Sequence, residues 1–231
     1  MGPGAPDELL WTSFLRRAND VPWIPSELVG AHGIMSLVEW PGTDLEAGRE
    51  RLAEIQAELT PLATDLTVIP FLTMKTITDE LFAHGLRTYI KAGFVDDLDG
   101  GLIDALLERA PHISSPISQV ELPALRGAIA RVPSDATAFP YRDAGWLVNI
   151  PATWRDAADD DGEIAWARAT YRAIKPFLSE GNYVNFMDDD EEGGASGAYG
   201  RTAERLAEVK AEYDPDNVFH LNQNIVPAVR A

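Results

Sequence analysis

Leu86-Arg-Thr-Tyr-Ile-Lys-Ala-Gly-Phe-Val95 is the stretch on which the fold turns. It is rich in β-branched and aromatic residues and lacks apolar spacing at three and four, so it reads as a strand. Arg87, Tyr89 and Lys91 stand at every second position and therefore share one face. Directly after it, Asp99 precedes Leu102, Ile103, Leu106 and Leu107 at helical spacing, which predicts a capped helix running to about Arg109. Ser115 to Leu122 returns to strand character. No internal repeat is evident on either side of it.

Upstream, Leu9–Arg16 and Gly33–Trp40 read as strands, with Pro22, Pro25 and Gly30 marking a loop between them. Thr43 and Glu46 have capping-box spacing, and Leu45, Leu52, Ile55 and Leu59 predict a helix over about 44–59, stopped by Pro61. A short strand over Leu66–Phe71 and a short helix near Thr76–Phe82 follow. Downstream, Gly127–Val132 and Gly145–Trp154 read as strands around a loop at Pro133–Asp143. The acids Asp159, Asp160 and Asp161 suit the positive end of a helix carrying Ile164, Ala167, Tyr171, Ile174 and Leu178, with Pro176 near its end. Tyr183–Phe186 reads as a short strand and Arg201–Tyr213 as a last helix, closed by Asp214-Pro215. Few tight hairpin turns join these strands. The expectation is an α+β fold, a mostly antiparallel sheet with helices on one face. Residues 1–178 form the body and 179–231 a C-terminal segment completing the same domain.

The formal net charge is −18, from 37 acidic against 19 basic residues. Such an excess repels polyanions, so neither nucleic acid nor an anionic membrane is an expected partner. Cysteine is absent, which excludes disulfides, thiolate metal sites and cysteine nucleophiles. No run reaches the roughly 18 apolar residues of a membrane span. The start, Met1-Gly-Pro-Gly-Ala-Pro-Asp7, has no basic region followed by an apolar one. With the missing cysteines, this leads to a cytoplasmic expectation, and the Gly/Pro/Ala opening reads as a linker into a strand. The acidic runs 159–161 and 188–192 lack the alternating ligands of a calcium loop and read as solvated, so no metal is expected.

Several strands carry polar groups among apolar ones. Besides Tyr89 and Lys91, Gln119 and Glu121 share a face, Asn149 interrupts Leu147-Val-Asn-Ile150, and Tyr183 and Asn185 share a face of the last short strand. Amides are poor strand formers, so together these residues suggest a polar wall of a ligand cavity; taken singly, each also fits a solvated sheet face. In the tail, Asn222, Gln223 and Asn224 sit between Leu221 and Ile225, offering donors and acceptors to a heteroaromatic edge or a polyol chain.

Tyr183-Val-Asn185-Phe186, Ala198-Tyr-Gly200 and Arg205-Leu-Ala-Glu-Val-Lys-Ala-Glu-Tyr-Asp-Pro-Asp-Asn-Val-Phe-His-Leu-Asn-Gln-Asn-Ile225 resemble the C-terminal signature of berberine-bridge-enzyme-like FAD-linked oxidases. Leu86–Lys91 and Asp135–Ala144 resemble segments of bacterial members. The resemblance implies a substrate domain whose antiparallel sheet roofs the isoalloxazine of FAD. It implies oxidation of an alcohol, sugar or related small molecule by hydride transfer to flavin. Tyr183 takes the place of the catalytic base. Tyr89, Lys91, Gln119, Glu121 and Asn149 fall where substrate is contacted, and Asn185, Asn222, Gln223 and Asn224 where flavin is. A phenol in water gives up its proton only near pH ~10, so such a base needs a neighbouring cation, for which Lys91 and Arg142 are the candidates, or hydrogen bonds to its phenolate.

The family holds FAD mainly through an N-terminal half with a histidine-bearing, Gly-rich loop. His32, His84, His112 and His220 lie in unlike contexts and read as surface or partly buried histidines. The expected partner is therefore a FAD-binding domain or subunit outside this chain, whether through truncation, fragmentation or a split enzyme. A non-catalytic ligand-binding remnant or scaffold is the alternative.

Overall fold

The structure, a computed structural model, describes residues 6–188 and 194–229. Five strands, β1 (Leu10–Arg17), β2 (His32–Glu39), β3 (Arg87–Val95), β4 (Gln119–Pro123) and β5 (Trp146–Trp154), form one sheet in the order β2-β1-β4-β5-β3. Every neighbouring pair is antiparallel. The helices are α1 (Leu45–Leu59), α2 (Phe71–Thr76), α3 (Gly100–Arg109), α4 (Ala128–Arg131), α5 (Asp160–Ile174), α6 (Gly194–Tyr199) and α7 (Ala203–Tyr213). The α+β architecture is the one the sequence predicts.

The main core lies between the sheet and the pair α3 and α5. Val120, Leu122, Val148, Ile150, Ala152 and Trp154 from the strands meet Leu102, Leu106, Trp166, Ala167 and Ile174 from the helices. Each helix is fixed at its start. Asp99 accepts a hydrogen bond from Leu102 N at 2.8 Å, capping α3. The first turn of α5 carries Asp160, Asp161 and Glu163 at the positive end of the dipole. Pro176 ends α5, which tightens into a 3-10 turn over Lys175–Phe177.

Glu163 is buried and ties α5 to the approach of β4. Its Oε1 accepts from Ser114 Oγ (2.5 Å) and Ser115 N (3.1 Å), and its Oε2 from Ser118 Oγ (2.9 Å). This bonding replaces the expected ladder over 115–118, so β4 begins only at Gln119.

Three expected strands are not strands. Residues 66–70 belong to no strand, and Pro70 then precedes α2, because its fixed φ of −60° suits the residue before a helix. The 127–132 stretch is α4: β4 ends at Pro123, and Gly127 turns the chain at φ +67°. Tyr183–Phe186 is a 3-10 turn over Val184–Phe186, lying across the sheet instead of extending it. The cap of α1 is Asp44, one residue beyond the expected Thr43; its carboxylate accepts from Glu46 N and Ala47 N. No helix among the described residues is long and apolar enough to cross a membrane. Of the acidic run 188–192, only Asp188 falls within the described residues, and among these no carboxylate–histidine group has the makings of a metal site.

Candidate functional site

Register assigns each polar strand residue to a side, because directly paired residues point the same way. Tyr89 pairs with Ala152 and Lys91 with Ile150, and both partners lie in the core under α5. Tyr89 and Lys91 therefore face the helices. Arg168 of α5 donates to Tyr89 Oη at 3.0 Å, and Lys91 Nζ lies 5.6 Å from the Tyr89 ring and 5.8 Å from the Tyr171 ring. Tyr89 also reaches a cleft of about 360 Å³ at the β3 edge, lined with Arg87, Trp154, Asp160 and Asp188.

Glu121 pairs with Asn149, Asn149 with Ala92, and Arg16 with Gln119. These residues occupy the opposite face. The single polar wall expected from the sequence is thus two, separated by the thickness of the sheet. Alternation groups the polar residues within β3 and within β4, but only pairing fixes which phase of each strand points to which side.

On that second face Glu121 is the centre. Gln119 Nε2 donates to its Oε1 at 2.6 Å, and Asn149 Nδ2 donates to its Oε2 at 2.7 Å. Burial pushes the Glu121 carboxyl above the usual carboxylate range, while Asn149, Gln119 and the charge of Arg16 pull it back. Arg16 is itself buried; its Nη2 donates to Asn19 Oδ1 at 2.8 Å, and burial draws its own pKa down. Gln119 Oε1 and Asn149 Oδ1 are buried acceptors without a hydrogen-bond partner among the described residues. A carboxylate flanked by two open carbonyls suits a ligand that brings hydroxyl or N–H donors. The sequence reading did not include Arg16; its signal is its place opposite Gln119 across β1 and β4.

Tyr183 lies over the same face. It packs on the cluster of Ala92, Phe94, Ala144 and Leu147, edge-on to Phe139 (5.9 Å between centroids) and Phe186 (5.2 Å). Asn185 Nδ2 donates to Tyr183 Oη at 2.9 Å, so these two residues do meet, brought together by the turn. Of the two candidate cations, Lys91 is on the wrong face. Arg142 is nearer in kind: its guanidinium lies 4.8 Å from the centroid of Phe139, the ring that touches Tyr183.

The tail is bound to α7. Lys210 Nζ donates to Asp214 Oδ2 and to Phe219 O, both at 2.5 Å, and Asp214 also accepts from Val218 N and Phe219 N. Lys210 holds the Asp214 carboxyl below its usual range. Asn222 turns the chain at φ +59°, and Asn224 N donates to Asn222 O at 2.9 Å. Among the described residues no hydrogen bond joins Asn222, Gln223 or Asn224 to Tyr183. Asn224 Oδ1 is buried without a partner, which fits an N–H or hydroxyl of a flavin or its polyol chain.

One sheet face of this α+β frame thus carries a half-buried carboxylate, two buried amides and a phenol. Residues 182–226 match the family model described as berberine and berberine like. The chain is 37% identical to YvdP, a FAD-linked oxidoreductase of Bacillus subtilis, over 44% of this chain and 23% of that protein. Its fold superposes on berberine bridge enzyme from Eschscholzia californica with a TM-score of 0.74 at 19% identity, over 99% of this chain and 50% of that one. On a glycopeptide hexose oxidase solved with teicoplanin the TM-score is 0.70 at 25% identity, over 98% and 48%. The C-terminal segment thus carries the berberine-like match, and the chain is similar in sequence to parts of FAD-linked oxidoreductases and in fold to half of berberine bridge enzyme. It spans about half the length of the solved structures it matches, and less of YvdP.

Proposed function

We propose that this chain is the substrate-binding half of a FAD-dependent oxidoreductase that oxidises an alcohol, sugar or related small molecule, working with a FAD-binding domain or subunit. The observation that carries the reading is the Glu121 cluster and Tyr183 on one sheet face. The flavin, when bound, supplies the hydride acceptor. The chain's residues do the rest. Gln119, Glu121 and Asn149 bind donor groups of the substrate and orient it. Tyr183 Oη takes the hydroxyl proton as the C–H bond is broken, with Asn185 fixing the phenol. Asn185 and the tail amides Asn222, Gln223 and Asn224 are the groups of this chain that would hold flavin. Similarity to a hexose oxidase supports a hydroxyl-rich substrate.

The test is Tyr183→Phe in the protein assembled with its flavin half. The rate of flavin bleaching by substrate should fall about 10²–10⁴-fold, the range for losing a general base. Unchanged bleaching would remove Tyr183 from the chemistry. A second reading is a ligand-binding module without turnover, which needs only the Glu121 carboxylate and the two open amide carbonyls beside it. It predicts ligand binding with no flavin reduction under any reconstitution.

A further inference from the structure

Tyr141 belongs to none of the groups assigned above, yet three parts of the C-terminal segment converge on it. Its ring lies 5.0 Å from Phe94 of β3 and edge-on to Phe139 at 6.3 Å. Its hydroxyl donates to Gly197 O of α6 at 2.5 Å. Gly181, at φ +86°, runs so close that a Cβ there would sit 1.9 Å from Tyr141 Cζ. Gly200, at φ +43°, would place a Cβ 2.8 Å from Tyr141 Oη. One side chain is therefore wedged between two left-handed glycines and hydrogen-bonded to a third segment. Only residues without a Cβ permit so close an approach.

Tyr183 follows Gly181 by two residues and shares Phe139 with Tyr141 as an aromatic neighbour. Its other contacts are the sheet cluster of Ala92, Phe94, Ala144 and Leu147 and, from its own turn, Phe186 and Asn185. Tyr141 packs against that same cluster and, through Gly181, holds the chain that leads into the turn. We propose that Tyr141 is the positioning residue for Tyr183: it fixes where the phenol stands over the Glu121 face, while itself touching neither substrate nor cofactor. The consequence for turnover rests on the base role given to Tyr183 above; the structural consequence does not.

The two are separated by two measurements on Tyr141→Phe, which keeps the ring and removes the bond to Gly197, and on Gly181→Ala as a second variant. In full-length protein with ¹³C-labelled tyrosine, the Tyr183 ring resonance should shift in both variants, with the Glu121-face strands unchanged. A Tyr183 resonance unmoved in both variants overturns the proposal. In the flavin-loaded assembly, Tyr141→Phe should slow flavin reduction about 10–100-fold with substrate affinity little altered. That loss should vanish in a Tyr183→Phe background. A shifted resonance with unchanged reduction rates in every variant sustains the positioning role and sinks the base role of Tyr183. An equal loss with and without the Tyr183 phenol sinks the proposal.

Discussion

Replacing Glu121 by leucine leaves Gln119 Nε2 and Asn149 Nδ2 without the oxygens they now reach at 2.6 and 2.7 Å. Both amides belong to residues only 2% exposed, so water does not take over. A stranded buried donor costs about 1–3 kcal/mol, and two of them about 2–6 kcal/mol. Arg16 also loses its nearby anion, which adds to the cost. Against this stands the release of a carboxylate whose charge is disfavoured by burial. The net expectation for Glu121→Leu is a loss of about 2–4 kcal/mol.

Glu121→Gln behaves differently. One flanking amide turns over, and its open carbonyl, Gln119 Oε1 or Asn149 Oδ1, accepts from the new N–H. The change then stays within about 1 kcal/mol. The pH dependence has a definite sign. A carboxyl raised in the folded state contributes stability below its unfolded pKa and loses it as pH rises through the folded value. The glutamine variant has no such loss, so its stability relative to the parent improves as pH climbs out of the carboxylate range. Urea unfolding with an unchanged m-value, run at acidic and neutral pH, reads both effects. A leucine variant as stable as the parent, or a Gln-minus-Glu difference flat in pH, would refute the half-buried, amide-held carboxylate.

Glu163→Ala should cost about 2–4 kcal/mol, because it strands the buried Ser115 N–H and removes an acceptor from the buried Ser118 hydroxyl just before β4; a urea midpoint within error of the parent would contradict this. Asp214→Asn should loosen the tail, read as faster amide exchange at Val218 and Phe219 with global unfolding unchanged. The same loosening should occur in the parent on acidification, since a carboxyl lowered in the fold contributes stability above its unfolded pKa and loses it as pH falls through the folded value.

Periodicity made most of the frame legible. The capped stripe of α3, the acidic start of α5 and the four long strands around 10–17, 32–39, 87–95 and 146–154 follow from local chemistry that acts within a few residues. The tail's kinship was legible in residues 183–225, a stretch overlapping the family-model match. Pro70 and Gly127 carried the signals against strands at 66–71 and 127–132, in fixed or left-handed φ.

Sequence alone determined that Glu121 and Gln119 share a face, that Tyr89 and Lys91 share a face, and that three consecutive amides, Asn222, Gln223 and Asn224, lie in the C-terminal tail. Which faces coincide was decided only by strand pairing: Glu121 opposite Asn149 places these two with Tyr183, and Lys91 opposite Ile150 sends Tyr89 and Lys91 beneath α5. Arg16 beside Glu121 and Tyr141 against Gly181 likewise join residues far apart in the chain. The reason is physical. Alternation fixes the relative direction of side chains within a strand, but its phase against a neighbour is set by register, a long-range property of the folded sheet.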